Sequence, residues 1–63
     1  MKNSIRVERA KKRISQAMLA KKTDLSFQSI NKIENNKQDP KVSAAMKIAK
    51  AFGLDVEQLF EEE

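Results

Sequence analysis

The sequence predicts an all-α fold, a compact set of five short helices without strands. Three observations predict it. β-Branched residues are scattered and never alternate over the length of a strand. Helix-capping residues, among them Ser15, Ser26 and Asp55, punctuate the chain. Val42, Ala45, Ile48, Ala49 and Phe52 repeat at the i, i+3, i+6, i+7 and i+10 spacing of one helical face.

Each element has a local reason. Asn3 or Ser4 caps a first helix that runs to about Lys12, with Ile5 and Arg9 on one face and Ala10 beside them. Ser15 caps a second helix over about 16–22, with Leu19 and Ala20 turned inward. Asp24, Leu25 and Ser26 break it. Ser26 then caps a third helix over about 27–35, whose inner side holds Ile30, Ile33 and Glu34. A polar loop follows, and Pro40 opens a fourth helix to about Phe52. Gly53 stands where a left-handed residue ends that helix. Asp55 with Gln58 three residues on forms a capping box for a short last helix bearing Val56, Leu59 and Phe60.

Composition narrows the chemistry. The chain has 63 residues with no Cys, no His and a single Gly. That length predicts one domain, residues 1–63, which buries only about 60 % of its unfolded surface. Nucleophilic or acid–base catalysis through Cys or His is impossible, and so is a glycine-rich phosphate cradle. Carboxylates alone remain as zinc ligands, so no metal or cofactor is expected. There is no room for an effector pocket, so no small-molecule effector is expected either. The amino terminus lacks the apolar stretch of a signal peptide, and no apolar run approaches the ~20 residues of a membrane span. Absence of Cys fits a cytoplasmic protein. A small binding module, not an enzyme, is the expectation.

Charge gives the module a partner. All 13 basic residues lie in residues 1–50, opposed there only by Glu8, Asp24, Glu34 and Asp39, a net of +9. Residues 51–63 hold Asp55, Glu57 and Glu61 to Glu63, a net of −5, and end in an acidic run over 61–63. A basic body points to a polyanion, most simply nucleic acid. RNA fits less well, because single-strand platforms stack bases on aromatic rings and only Phe27 stands free.

The middle of the chain, about 16–35, pairs two short helices across a tight break. This is the order of a helix-turn-helix, whose second helix enters the major groove. On periodicity alone, any compact pair of helices in a bundle reads the same way.

The residues themselves separate the two readings. Ser15-Gln16-x-x-Leu19-Ala20 is followed by Ser26-x-Gln28-x-Ile30-x-x-Ile33-Glu34-Asn35. Ile5-Arg-x-x-Arg9 precedes them, and Pro40, the stretch from Lys47 to Gly53 and Leu59-Phe60-Glu61 follow. This pattern, over about residues 3–61, resembles the Cro/C1-type (XRE) helix-turn-helix family. The resemblance implies a five-helix lambda-repressor-like domain that binds double-stranded DNA, commonly as a homodimer.

It also implies roles, position by position. Phe27, Gln28, Lys32 and, less centrally, Asn31 stand where the family reads bases. Gln16, Ser26, Asn35, Lys37, Gln38 and Lys41 stand where it meets phosphates. Arg9 and Glu34 match a structural ion pair between the first and third helices. The dimer contact is placed on other grounds: so small a monomer has few spare apolar residues, which makes Leu54, Val56 and the last helix, with Gln58, the candidates.

Departures from the pattern bear on specificity. Asp24 replaces the usual turn Gly, Phe27 a polar or basic residue, Met18 an acidic one, and Lys41 a capping Ser or Thr. Met18, Leu25 and Phe27 are expected to form an exposed apolar patch near the turn. That patch supports an alternative, a protein-interaction module on the same scaffold with a protein partner. The leading expectation is a sequence-specific DNA-binding transcriptional regulator, a repressor.

Overall fold

The computed structural model describes residues 2–61. Five helices run in order: α1 (Ile5–Lys12), α2 (Gln16–Thr23), α3 (Phe27–Glu34), α4 (Val42–Ala51) and α5 (Val56–Leu59). Two strands of two residues each, β1 (Lys2–Asn3) and β2 (Phe60–Glu61), pair antiparallel with Lys2 opposite Glu61 and Asn3 opposite Phe60. The expectation of no strands is therefore corrected. So short a strand leaves no alternation in the sequence, and its partner lies at the far end of the chain. The Ser4 N–H extends the clasp by donating to the Leu59 carbonyl at 2.9 Å. The expected acidic end over 61–63 begins in β2 with Glu61, and Glu62 and Glu63 lie outside the described residues.

Local chemistry sets the helix ends. Of the two residues expected to cap α1, Asn3 does the side-chain work: its Oδ1 accepts from the Ile5 N–H at 3.1 Å, while Ser4 makes no side-chain cap bond. Ser15 caps α2 by accepting from the Met18 N–H, and Ser26 caps α3 by accepting from the Ser29 N–H. Asp24 ends α2 in the left-handed region at φ 59°. Gly53 follows α4 at φ 69°, and the N–H groups of Gly53 and Leu54 donate to the Lys50 and Ala49 carbonyls. These two bonds satisfy carbonyls that the helix itself leaves unpaired. Before α5, Gln58 Oε1 accepts from the Asp55 N–H at 2.8 Å.

The start of α4 differs from expectation. Pro40 lies outside the helix, Lys41 is its extended N-cap, and Val42 is the first helical residue. Val42 is 77 % exposed, so the buried stripe of α4 is Ala45, Ile48 and Ala49, continued by Phe52 at the C-cap. At the first helical position Val42 overhangs the core instead of entering it.

One fully buried aliphatic residue comes from each helix: Ile5, Leu19, Ile30, Ile48 and Leu59. Each such burial is worth about 1.5–3 kcal/mol. Phe52 and Phe60 close the cluster, and Ile14, Leu25, Leu54 and Val56 pack on its rim. Thr23 is buried among them, and its hydroxyl donates to the Leu19 carbonyl at 2.8 Å, so no buried polar atom is stranded there.

The turn residue Asp24 carries a testable cost. A left-handed conformation costs an L-residue roughly 1–2 kcal/mol, less for Asp than for most. Asp24 also puts a negative charge at the negative end of α2. Asp24→Gly is expected to raise stability by about 0.5–1 kcal/mol in urea unfolding. A loss of stability would mean that the carboxylate makes a favourable interaction outweighing both costs.

Candidate nucleic-acid interface

Two helices and the three residues between them, Asp24, Leu25 and Ser26, form the site. The left-handed Asp24 reverses the chain, and the Leu25 N–H donates to the Ala20 carbonyl at 3.1 Å. That turn directs Leu25 onto the core. The expected patch of three exposed apolar residues is thus reduced to Met18 and Phe27, each about half exposed.

Helix α3 has two unlike faces. Ile30, Ile33 and Glu34 are buried against the core. Phe27, Gln28, Lys32 and Asn35 are exposed, and Gln28, Lys32 and Asn35 follow the i, i+4, i+7 row. Eight residues make α3 about 12 Å long, the width of a B-DNA major groove. Lys37, Gln38 and Lys41 stand exposed on the loop that leaves it. The Ser26 hydroxyl is engaged locally, with the Ser29 N–H and hydroxyl.

Beneath this surface lies a buried carboxylate. The Glu34 side chain is 2 % exposed and takes a two-pronged bond from Arg9, Nε to Oε1 at 2.8 Å and Nη2 to Oε2 at 3.0 Å. The third arm of Arg9, Nη1, donates to the Ile14 carbonyl. Hydrogen bonding from Arg9 holds the Glu34 carboxyl below its ordinary value, against the opposing pull of burial. The same bond raises the Arg9 guanidinium. Helix α1 is thereby tied to α3 by a charged hydrogen-bonded pair.

Two further residues hold the site together, in roles that the sequence pattern does not show. Arg6 donates from Nε to Glu34 Oε2 at 3.3 Å and from Nη2 to Asn35 Oδ1 at 3.1 Å. Its place three residues before Arg9 on α1 was the available signal. Asn3, besides its capping bond, donates from Nδ2 to the Ile33 carbonyl and to Asn36 Oδ1. It joins the start of α1 to the end of α3.

Asn31 stands apart from the other expected base readers. It is half-buried, and its Nδ2 donates to Gln16 Oε1 at 3.1 Å. The expected dimer residues are also partly occupied. Leu54 and Val56 rest on the core, and Gln58 serves in the cap of α5. Not every cation faces the helix pair. Lys22, Lys47 and Lys50 surround a separate open groove of about 380 Å³ where α2 and α4 end.

Residues 5–59 match the helix-turn-helix family model. The chain belongs to the Cro/C1-type helix-turn-helix family. It is 45 % identical over 60 residues to an uncharacterized HTH-type transcriptional regulator of Methanocaldococcus jannaschii, covering 95 % of this chain and 91 % of that protein. It is 38 % identical over 60 residues to another of Archaeoglobus fulgidus, covering 95 % and 86 %. The family is one of DNA-binding transcriptional regulators rather than of enzymes. Among the described residues no helix is long and apolar enough to cross a membrane.

Proposed function

We propose that this helix-turn-helix protein is a repressor that binds its operator in the cytoplasm as a homodimer, with α3 of each protomer in the major groove. The observation that carries this is the division of α3. Ile30, Ile33 and Glu34 anchor one side, and the other presents Phe27, Gln28 and Lys32 to solvent. Gln28 suits the N6 and N7 edge of adenine, Lys32 suits O6 and N7 of guanine, and Phe27 suits a thymine methyl. Gln16, Ser26, Asn35, Lys37, Gln38 and Lys41 are the phosphate-facing set, which fixes register while the bases give sequence. A protein-binding role for the turn has less support, because Leu25 is partly buried against the core and only Met18 and Phe27 are exposed.

Selection of bound duplexes from a random library, at low and at near-physiological salt, tests this reading. The expected result is a palindromic motif that survives the higher salt. Its half-sites should lie about one helical turn apart, as two recognition helices related by a twofold axis require. A motif without symmetry would remove the homodimer. Binding confined to low salt, with no motif, would reduce the activity to phosphate attraction.

A further inference from the structure

Gln16 and Asn35 both carry side-chain amides, and an amide can present either an acceptor or a donor to its surroundings. The hydrogen bonds around them settle which. Asn35 Oδ1 accepts from Arg6 Nη2 at 3.1 Å, and its Nδ2 donates to the Asn31 carbonyl at 2.9 Å. A guanidinium only donates and a carbonyl only accepts, so the Asn35 amide has one orientation. Gln16 Oε1 accepts from Asn31 Nδ2 at 3.1 Å. The oxygen of Gln16 therefore faces Asn31, and its nitrogen is left as the donor. Both oxygens therefore accept a hydrogen bond inside the protein. Each amide has an N–H beyond these bonds, and such an N–H is what a phosphate oxygen takes.

We propose that Asn31 and Arg6 are positioning residues: they hold Gln16 and Asn35 as hydrogen-bond donors toward the phosphates of bound DNA. The proposal rests on the DNA-binding reading above and reassigns Asn31 from base reading to support. Asn31 touches both amides, Gln16 through its side chain and Asn35 through its carbonyl. Arg6 links Asn35 to the buried Glu34. A shift of α3 against α1 or α2 would thus misaim the phosphate contacts and the base-reading face together.

Two measurements test it. In the free protein, the side-chain amide of Gln16 should be rigid by ¹⁵N relaxation, and Asn31→Ala should free it. A Gln16 amide already mobile in the unaltered protein overturns the proposal even if DNA binding is intact. With DNA, Asn31→Ala should weaken binding about three- to tenfold on every sequence alike, the worth of one hydrogen bond. The selected motif should not change. The salt dependence should stay the same, because no cation is removed. In a Gln16→Ala background Asn31→Ala should cost nothing more. Arg6→Lys, which keeps the charge, should behave likewise against Asn35→Ala. A changed preference at one base pair, or an undiminished loss in the Gln16→Ala background, would return Asn31 to base reading. Failure of the unaltered protein to bind any duplex sinks the functional reading, and the DNA half of this proposal with it. Binding at temperatures where circular dichroism shows each variant folded excludes simple unfolding.

Discussion

Arg9→Met is expected to destabilise the protein by about 3–5 kcal/mol. The Glu34 carboxylate is 2 % exposed, and Arg9 supplies two of its hydrogen bonds. Removing the guanidinium strands a charge that water does not reach. Arg6 holds one remaining bond, at 3.3 Å, from a side chain that is 72 % exposed and therefore well screened. At roughly 0.05–0.15 kcal/mol per residue, a chain of 63 residues has about 3–9 kcal/mol in total. The variant should be largely unfolded in urea titrations that leave the unaltered protein native. Adding Glu34→Leu to Arg9→Met should recover much of the loss, because no unpaired charge is then left inside. A loss below about 1 kcal/mol would mean that Arg6 is enough to hold the carboxylate.

The same pair gives a pH dependence with a definite sign. Glu34 has its carboxyl lowered from 4.5 in the folded protein. Below that value the unfolded chain takes up a proton before the folded one does. Stability from this group is therefore complete above the unfolded value and declines as pH falls from there through the folded value. Glu34→Gln should flatten this part of the acid limb in thermal melts between about pH 5 and pH 2. An unchanged acid limb would show that Glu34 titrates alike in both states.

What was legible in the sequence was local. Leu19, Ile30, Ile33, Ile48 and Phe52 were readable as core because helical spacing puts them on one face. Ser15, Ser26, Gly53 and the Asp55–Gln58 box were readable because each acts on backbone groups within a few residues. Contacts between distant residues were less so. Asn31 and Gln16 are 15 positions apart, and Arg6 and Asn35 are 29 apart, with no periodicity to join them. The pairing of Lys2–Asn3 with Phe60–Glu61 spans nearly the whole chain. Leu25 reads as exposed in the sequence because its neighbours Asp24 and Ser26 are polar turn residues. Only the reversal at Asp24 turns it inward. For Arg9 and Glu34 the family pattern supplied a pairing that spacing alone does not give.

Gln28→Ala should cost about 1–3 kcal/mol on the preferred duplex and almost nothing on an unrelated one. Gln28 is exposed on the third helix, one turn from Lys32 and beside Phe27. A bidentate amide pairs with adenine through one donor and one acceptor, a pattern that the other three bases do not offer there. Its loss should erase discrimination at one position of each half-site and leave the rest of the motif intact. Lys37→Ala gives the contrasting result. Lys37 lies exposed on the loop after the helix, where a cation meets phosphate rather than base. That variant should weaken every sequence alike and lower the slope of log K against log salt by about one. Comparing the two selected profiles separates reading from attraction. If Gln28→Ala kept the full motif, the specificity would lie with Phe27 and Lys32 or with the shape of the duplex. If Lys37→Ala changed the motif, the loop would be reading bases as well.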